Sequence, residues 1–279
     1  MEKKYEVKDE IGYGRYGTVY SCIRKSDGKK CAIKIDTDED ETYKDFKTEV
    51  QVYSQCKHSN IIEMVEYFEN PIIHWIVFDL AKGNLFDFEK LHCLKDYNIE
   101  IFRCIAHGLK HLHDSGWAHL DLKIGNILFD TLEGLPTQYI FKISDMGNAV
   151  CKDTITNAFP GTYIYMDASI FKKDDKWTLE DSFKVDMWSL GIIAAEMSLT
   201  VSLIKTIARK QINEKGGFVE IVWSEVDLPG YILKFKQKDY KPYIKDSQPY
   251  NIVKKILVVN PAKRKDISWV IKKLTNLKN

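Results

Sequence analysis

The chain has no Cys-x-x-Cys pair, no metal-ligand spacing among its six cysteines and no long hydrophobic run. Cysteines at 22, 31, 56, 93, 104 and 151 do not read as a disulfide framework; buried free thiols in a reduced, intracellular compartment are expected. The most apolar window, residues 72–81, is too short to span a bilayer and contains His74 and Asp79. The opening stretch MEKKYEVKDE lacks the apolar centre of a secretory signal. Neither sign of charge dominates: 41 basic against 40 acidic residues leave a formal +1, with no global pull toward nucleic acid or anionic lipid. No internal repeat or low-complexity tract stands out. What is present is an ordinary globular composition, 44% hydrophobic and 29% charged over 279 residues, long enough for two lobes.

Alternation predicts strands over residues 5–11, 18–24 and 30–35, with Gly12-Tyr13-Gly14 bending the chain between the first two and Ser26-Asp27-Gly28 turning it into the third. Residues 40–56 read as a helix whose apolar face carries Tyr43, Phe46, Val50 and Tyr53. Strands over 60–68 and 74–80 flank the Asn70-Pro71 turn. Beyond Gly83 the pattern becomes helical, with a stripe over 99–113 that ends at Ser115-Gly116. Short strands follow at 127–129 and 139–143. Residues 186–199 are too apolar all round for a surface helix, and 250–277 reads as helices broken at Asn260-Pro261.

Four stretches carry chemistry. In IGYGRYGTVY, Gly12, Gly14 and Gly17 are spaced G-x-G-x-x-G, so backbone N–H groups can approach phosphate oxygens without a Cβ in the way. The glycines lie between two strands, which disfavours a dinucleotide fingerprint running from strand into helix. In Cys31-Ala32-Ile33-Lys34, alternation puts Ala32 and Lys34 on one face beneath that loop, and Glu49 on the next helix offers a carboxylate to orient the lysine. Taken singly, a strand-edge lysine and a surface glutamate are the commoner readings. HLDLKIGNILF, at 119–129, supplies Asp121 to orient or deprotonate a hydroxyl and Lys123 to neutralise a developing charge. Asn126 adds a hard oxygen for a divalent cation. Finally, Asp145-Met146-Gly147 ends a strand with a second oxygen ligand.

Together these residues resemble a eukaryotic-type protein kinase of the serine/threonine class, in the right order over nearly the whole chain. Further matches are Gly161-Thr162, the run DMWSLG at 186–191, and Asn260-Pro261 leading to Arg264. The resemblance implies an α+β, two-lobed fold, with a small β-rich N-lobe over 1–81 and a mainly helical C-lobe over 82–279. It implies that ATP lies under Ile11, Gly12, Tyr13, Gly14, Gly17 and Val19, against Ala32. Lys34, paired with Glu49, would meet the phosphates, while Phe78 guards the back of the adenine pocket and the backbone of Asp79 and Ala81 faces the adenine edge. Asp121 and Lys123 would be catalytic, Asn126 and Asp145 would hold Mg²⁺, and a protein serine or threonine would be the acceptor. The catalytic domain is expected to fill almost the whole chain.

Three positions depart from the family pattern. His119-Leu120-Asp121 lacks the arginine that reads a phosphate on the activation segment, so activity without phosphorylation of Thr154 or Thr156 is expected. Met146 replaces phenylalanine, with similar reach and softer packing. Asp167-Ala168-Ser169 replaces Ala-Pro-Glu, which leaves Arg264 in need of another partner. A nucleotide-binding scaffold without catalysis is the alternative, and a small-molecule phosphotransferase a third reading. His107, His111 and His113 read as an ordinary helix end, Trp117 and Trp188 as core aromatics, and the basic runs at 172–173, 254–255 and 263–265 as solvated faces. Residues 199–250 carry no readable function.

Overall fold

Period-two alternation builds the N-terminal sheet. The computed structural model describes residues 3–14, 17–37, 40–70, 73–132, 134–154, 161–167, 177–199 and 250–276, with isolated positions at 203, 206, 207, 236 and 239. Strands β1 (Tyr5–Gly14), β2 (Gly17–Arg24), β3 (Lys30–Thr37), β4 (Met64–Glu69) and β5 (Ile73–Asp79) form one antiparallel sheet in the order β1-β2-β3-β5-β4. One face packs Cys22, Cys31 and Ile33 against Tyr5, Trp75 and Val77. The alternate residues Val19, Ser21, Ala32 and Lys34 point the other way, into a cleft. Helix α1 (Asp40–Gln55) lies against β3, β4 and β5 and buries Phe46, Glu49 and Tyr53.

The strand expected over 60–68 begins only at Met64. Residues 60–62 are engaged elsewhere: Ile143 N donates to Asn60 O at 2.8 Å and Ile62 N to Ile143 O at 2.9 Å, while Asn60 Nδ2 reaches Phe141 O at 3.0 Å. Their backbone, with the Asn60 amide, therefore clasps the C-terminal half of the molecule instead of extending β4.

After the two-residue strand β6 (Gly83–Asn84) comes a helix the sequence reading missed, α2 (Leu85–Leu91). Asn84 Oδ1 accepts from Phe86 N and Asp87 N while Asp87 Oδ2 accepts from Asn84 N, a reciprocal cap that sets this short helix. Helix α3 (Leu94–Asp114) starts earlier than its stripe suggests and buries Ile101, Phe102, Ile105, Leu109 and Leu112. Strands β7 (Ile127–Leu132) and β8 (Leu135–Ile143) form a hairpin that completes a three-stranded sheet with β6. Helix α4 (Leu179–Leu199) also starts early, because Thr178 and Asp181 cap each other. It is buried almost throughout, with Trp188 at its centre, and packs against α3 and α5 (Tyr250–Ile256). Helix α6 (Ile267–Leu274) covers α3, capped by Asp266. The protein is thus an α+β molecule of two lobes, a β-rich first lobe and a mainly helical second. Among the described residues no helix is long and apolar enough to cross a membrane.

Candidate active site

The glycine-rich turn joins β1 to β2, with Gly14 opposite Gly17 and Gly12 opposite Val19. Gly17 has φ +103°, and a Cβ there would lie 2.4 Å from Ile35 O, so no other residue fits. Beneath the turn lies a cleft of about 590 Å³, within the size range of small-molecule sites. Its lining brings together Ile11, Gly12, Tyr13, Gly17, Val19, Ala32, Lys34, Glu49, Phe78, Asp79, Ala81, Asn126 and Asp145. Gly14 is placed in β1 beside them. Sequence reasoning passed over Leu128, on the strand that follows Asn126, and Tyr53, one helical turn beyond Glu49, both of which line the cleft.

At the back of the cleft, Lys34 Nζ contacts Glu49 Oε1 at 2.5 Å and Asp145 Oδ1 at 3.5 Å. Burial works against the lysine's charge, but Glu49 and then Asp145 outweigh it and hold the ammonium above its usual range. Burial, with Asp145 adding repulsion against the pull of Lys34, pushes Glu49 up to about 7. Burial likewise disfavours the Asp145 carboxylate, yet Lys34 and a hydrogen bond with Glu49 leave it below its usual value. Two carboxylates thus face one ammonium, with the amide oxygen of Asn126 beside the same cleft. The Asp145 carboxylate, kept ionised, and the Asn126 amide are hard oxygen donors lining one cleft, and they fit Mg²⁺.

Asp121, Lys123 and Asn126 sit on the loop between α3 and β7. Asp121 is 4% exposed, and each carboxylate oxygen is held. Thr162 N and Oγ1 reach Oδ1 at 3.0 and 2.9 Å, while Lys123 Nζ reaches Oδ2 at 2.6 Å and Thr162 Oγ1 at 3.2 Å. Asn126 Nδ2 donates to Asp121 O at 2.9 Å and to Asp121 Oδ2 at 3.2 Å. Asp121 N donates to His119 Nδ1, so the imidazole proton sits on Nε2 and donates to Ser144 O at 3.0 Å. His119 therefore ties the Asp121 loop to the strand end that carries Asp145.

A second carboxylate fixes this loop from below. Asp186, buried on α4, accepts from His119 N and Leu120 N at 2.8 Å each and faces His113 Nε2 at 2.9 Å. His113 is therefore more than a helix-end residue: its ring also stacks on Phe183, whereas His111 stacks on His58. Leu120 adopts φ +62°, a conformation that costs a non-glycine residue about 1–2 kcal/mol. Its side chain is buried with Ala118, Trp177 and Val185, and Val150 packs on the same cluster. Trp117 and Trp188 are both in the core.

The segment returning toward Asp121 passes Gly161, where a Cβ would lie 2.6 Å from Leu120 O. Downstream, Arg264 finds the partner it was expected to lack. Arg264 Nη1 meets Asp167 Oδ2 at 2.6 Å, with the two side chains 0% and 1% exposed. Its Nε and Nη2 donate to Val258 O, and the guanidinium lies 5.1 Å over the Trp188 ring. The reading of 263–265 as a solvated face is corrected accordingly: Lys263 and Lys265 are exposed, but Arg264 is buried. Ser169 and Thr156 lie outside the described residues, as do the basic pair at 172–173 and nearly all of 200–249.

The family model for the protein kinase domain matches residues 5–274. The chain is 31% identical over 69% of its length to serine/threonine-protein kinase TIO of Arabidopsis thaliana, covering 14% of that protein. It is 31% identical over 70% of its length to serine/threonine-protein kinase 10 of Xenopus tropicalis, covering 21% of it. To serine/threonine-protein kinase cst-1 of Caenorhabditis briggsae it is 33% identical over 71%, covering 39%. It therefore spans well under half the length of each of these relatives.

Proposed function

The chain belongs to the eukaryotic-type serine/threonine protein kinase family, and from that premise we propose that it transfers the γ-phosphoryl group of ATP to serine or threonine hydroxyls of protein substrates. The observation that carries this reading is the Asp121 carboxylate, braced by Thr162 and Lys123 at a cleft where Lys34 is already paired with Glu49. Asp121 orients the acceptor hydroxyl and takes its proton. Lys123, held between Asp121 and Thr162, offers a positive charge where negative charge accumulates on transfer.

Lys34 contacts phosphate oxygens, and Glu49 fixes where its ammonium points. Ile11, Gly12, Tyr13, Gly14, Gly17 and Val19 cover the nucleotide, with Ala32 above the base and Leu128 below it. Phe78, packed edge-on against Tyr53 at 5.0 Å, closes the deeper apolar space. The Asp79 amide already donates to Glu63 O, so its carbonyl, with the backbone of Ala81, serves the adenine edge. Asn126 and Asp145 would hold Mg²⁺, which when bound would supply positive charge to offset that of the phosphates. The N-lobe is assigned to 1–81 and the C-lobe to 82–279. The six unpaired thiols support an intracellular setting.

The test is transfer from labelled ATP with Mg²⁺ onto a generic serine/threonine substrate, wild type beside Asp121→Asn. The variant should bind ATP as wild type does and lose on the order of 10²–10⁴ in turnover. Wild-type protein that binds ATP·Mg²⁺ but transfers nothing would overturn the catalytic reading and leave a nucleotide-binding scaffold.

A further inference from the structure

Asp145 is one of two non-glycine residues with positive φ among the described positions, at +64°. A left-handed backbone is uncommon even for aspartate, and such strain persists only where surrounding contacts over-determine it. The Lys34 contact to its carboxylate is long, at 3.5 Å. The short, well-placed restraint acts on its backbone: Asp145 N donates to the Tyr53 hydroxyl at 3.0 Å, across 92 positions of sequence. Tyr53 is 3% exposed, one turn beyond Glu49 on α1, and its ring is fixed edge-on against Phe78.

We propose that Tyr53 is a positioning residue for metal binding: its hydroxyl holds the Asp145 amide, and with it the left-handed turn that aims the carboxylate into the cleft. This rests on the proposed assignment of Asp145 as a Mg²⁺ ligand. Helix α1 then acts on both charged partners of the cleft, on Lys34 through Glu49 and on Asp145 through Tyr53. A shift of α1 that parts the first pair also releases the second.

The experiment is ATP binding by isothermal titration, with Mg²⁺ and with EDTA, for wild type, Tyr53→Phe and Tyr53→Leu, alongside melting temperatures. Phenylalanine keeps the ring against Phe78 and removes only the hydroxyl. Affinity in EDTA should match wild type within about twofold, while the tightening produced by Mg²⁺ should shrink by roughly five- to tenfold, the worth of one hydrogen bond. Tyr53→Leu should lose the same Mg²⁺-dependent part and also melt lower, because the ring contact goes too. If Mg²⁺ tightens ATP equally in wild type and Tyr53→Phe, the positioning role is wrong and the kinase reading stands. If Mg²⁺ fails to tighten ATP even in wild type, the metal assignment of Asp145 falls, and the role of Tyr53 with it.

Discussion

Replacing Asp167 by alanine strands the guanidinium of Arg264 in the core, between Val258, Lys184 and Trp188. Breaking a buried ion pair from one side costs about 3–5 kcal/mol, because the remaining charge stays desolvated. The carbonyls of Val258 and Lys184 continue to accept from Arg264, which places the cost toward the lower end. At about 2–4 °C per kcal/mol for a domain of this size class, a loss of roughly 3 kcal/mol lowers the melting temperature by about 6–12 °C. Asp167→Asn retains an oxygen acceptor and should fall between alanine and wild type. The family pattern has its acid two positions later, at 169, so Asp167→Ala combined with Ser169→Glu asks whether the two positions can exchange the role. Thermal melts on all four proteins, with the Michaelis constant for a peptide substrate, provide the assay. If Asp167→Ala melts within about 2 °C of wild type, the pair contributes nothing of this order and the reasoning is refuted.

Leu120 puts an apolar, buried side chain where the family pattern has the phosphate-reading arginine, so phosphatase-treated protein, and the variant Thr154→Ala with Thr156→Ala, should keep transfer rates within about twofold of untreated wild type. Loss of activity on either treatment would contradict it. Burial, then His111 and His107, hold His58 below its usual pKa of 6.5. The unfolded chain therefore takes up the proton first as pH falls, so stability is fullest above 6.5 and declines on acidification below it. His58→Asn keeps an acceptor for the Asn60 amide and should show a shallower drop in melting temperature between about pH 7.5 and about pH 5.5. An unchanged slope would refute this.

The first three strands were legible because alternation and glycine punctuation act over a few residues, and α1 because its apolar stripe runs uninterrupted. The misreadings share a cause. The backbone of Ile61 and Ile62 pairs with Ile143 at the end of β8, a partner about 80 residues away that local pattern does not reveal. Helix α2 is too short for periodicity to declare it, and the sign it does carry is the Asn84–Asp87 cap. The site followed the same rule. Lys34, Glu49, Asp121, Asn126 and Asp145 stand in motifs whose spacing announces them. Tyr53 looked like one more apolar face residue, and Asp167 like a defect in a motif, because each takes its meaning from a partner about a hundred positions away.

The clasp of Asn60 and Ile62 on Ile143 has a mechanical consequence. Ile143 lies two residues before Asp145, and Asn60 O packs so closely on α3 that a Cβ at Gly108 would come within 2.6 Å. The chain just beyond α1 is thus pinned to the helical lobe at the root of the strand that leads to Asp145, the proposed metal ligand. On the proposed nucleotide reading, opening of the cleft swings the outer strands and their glycine turn, as a jaw moves against a fixed pivot. The floor then keeps its shape while the roof travels.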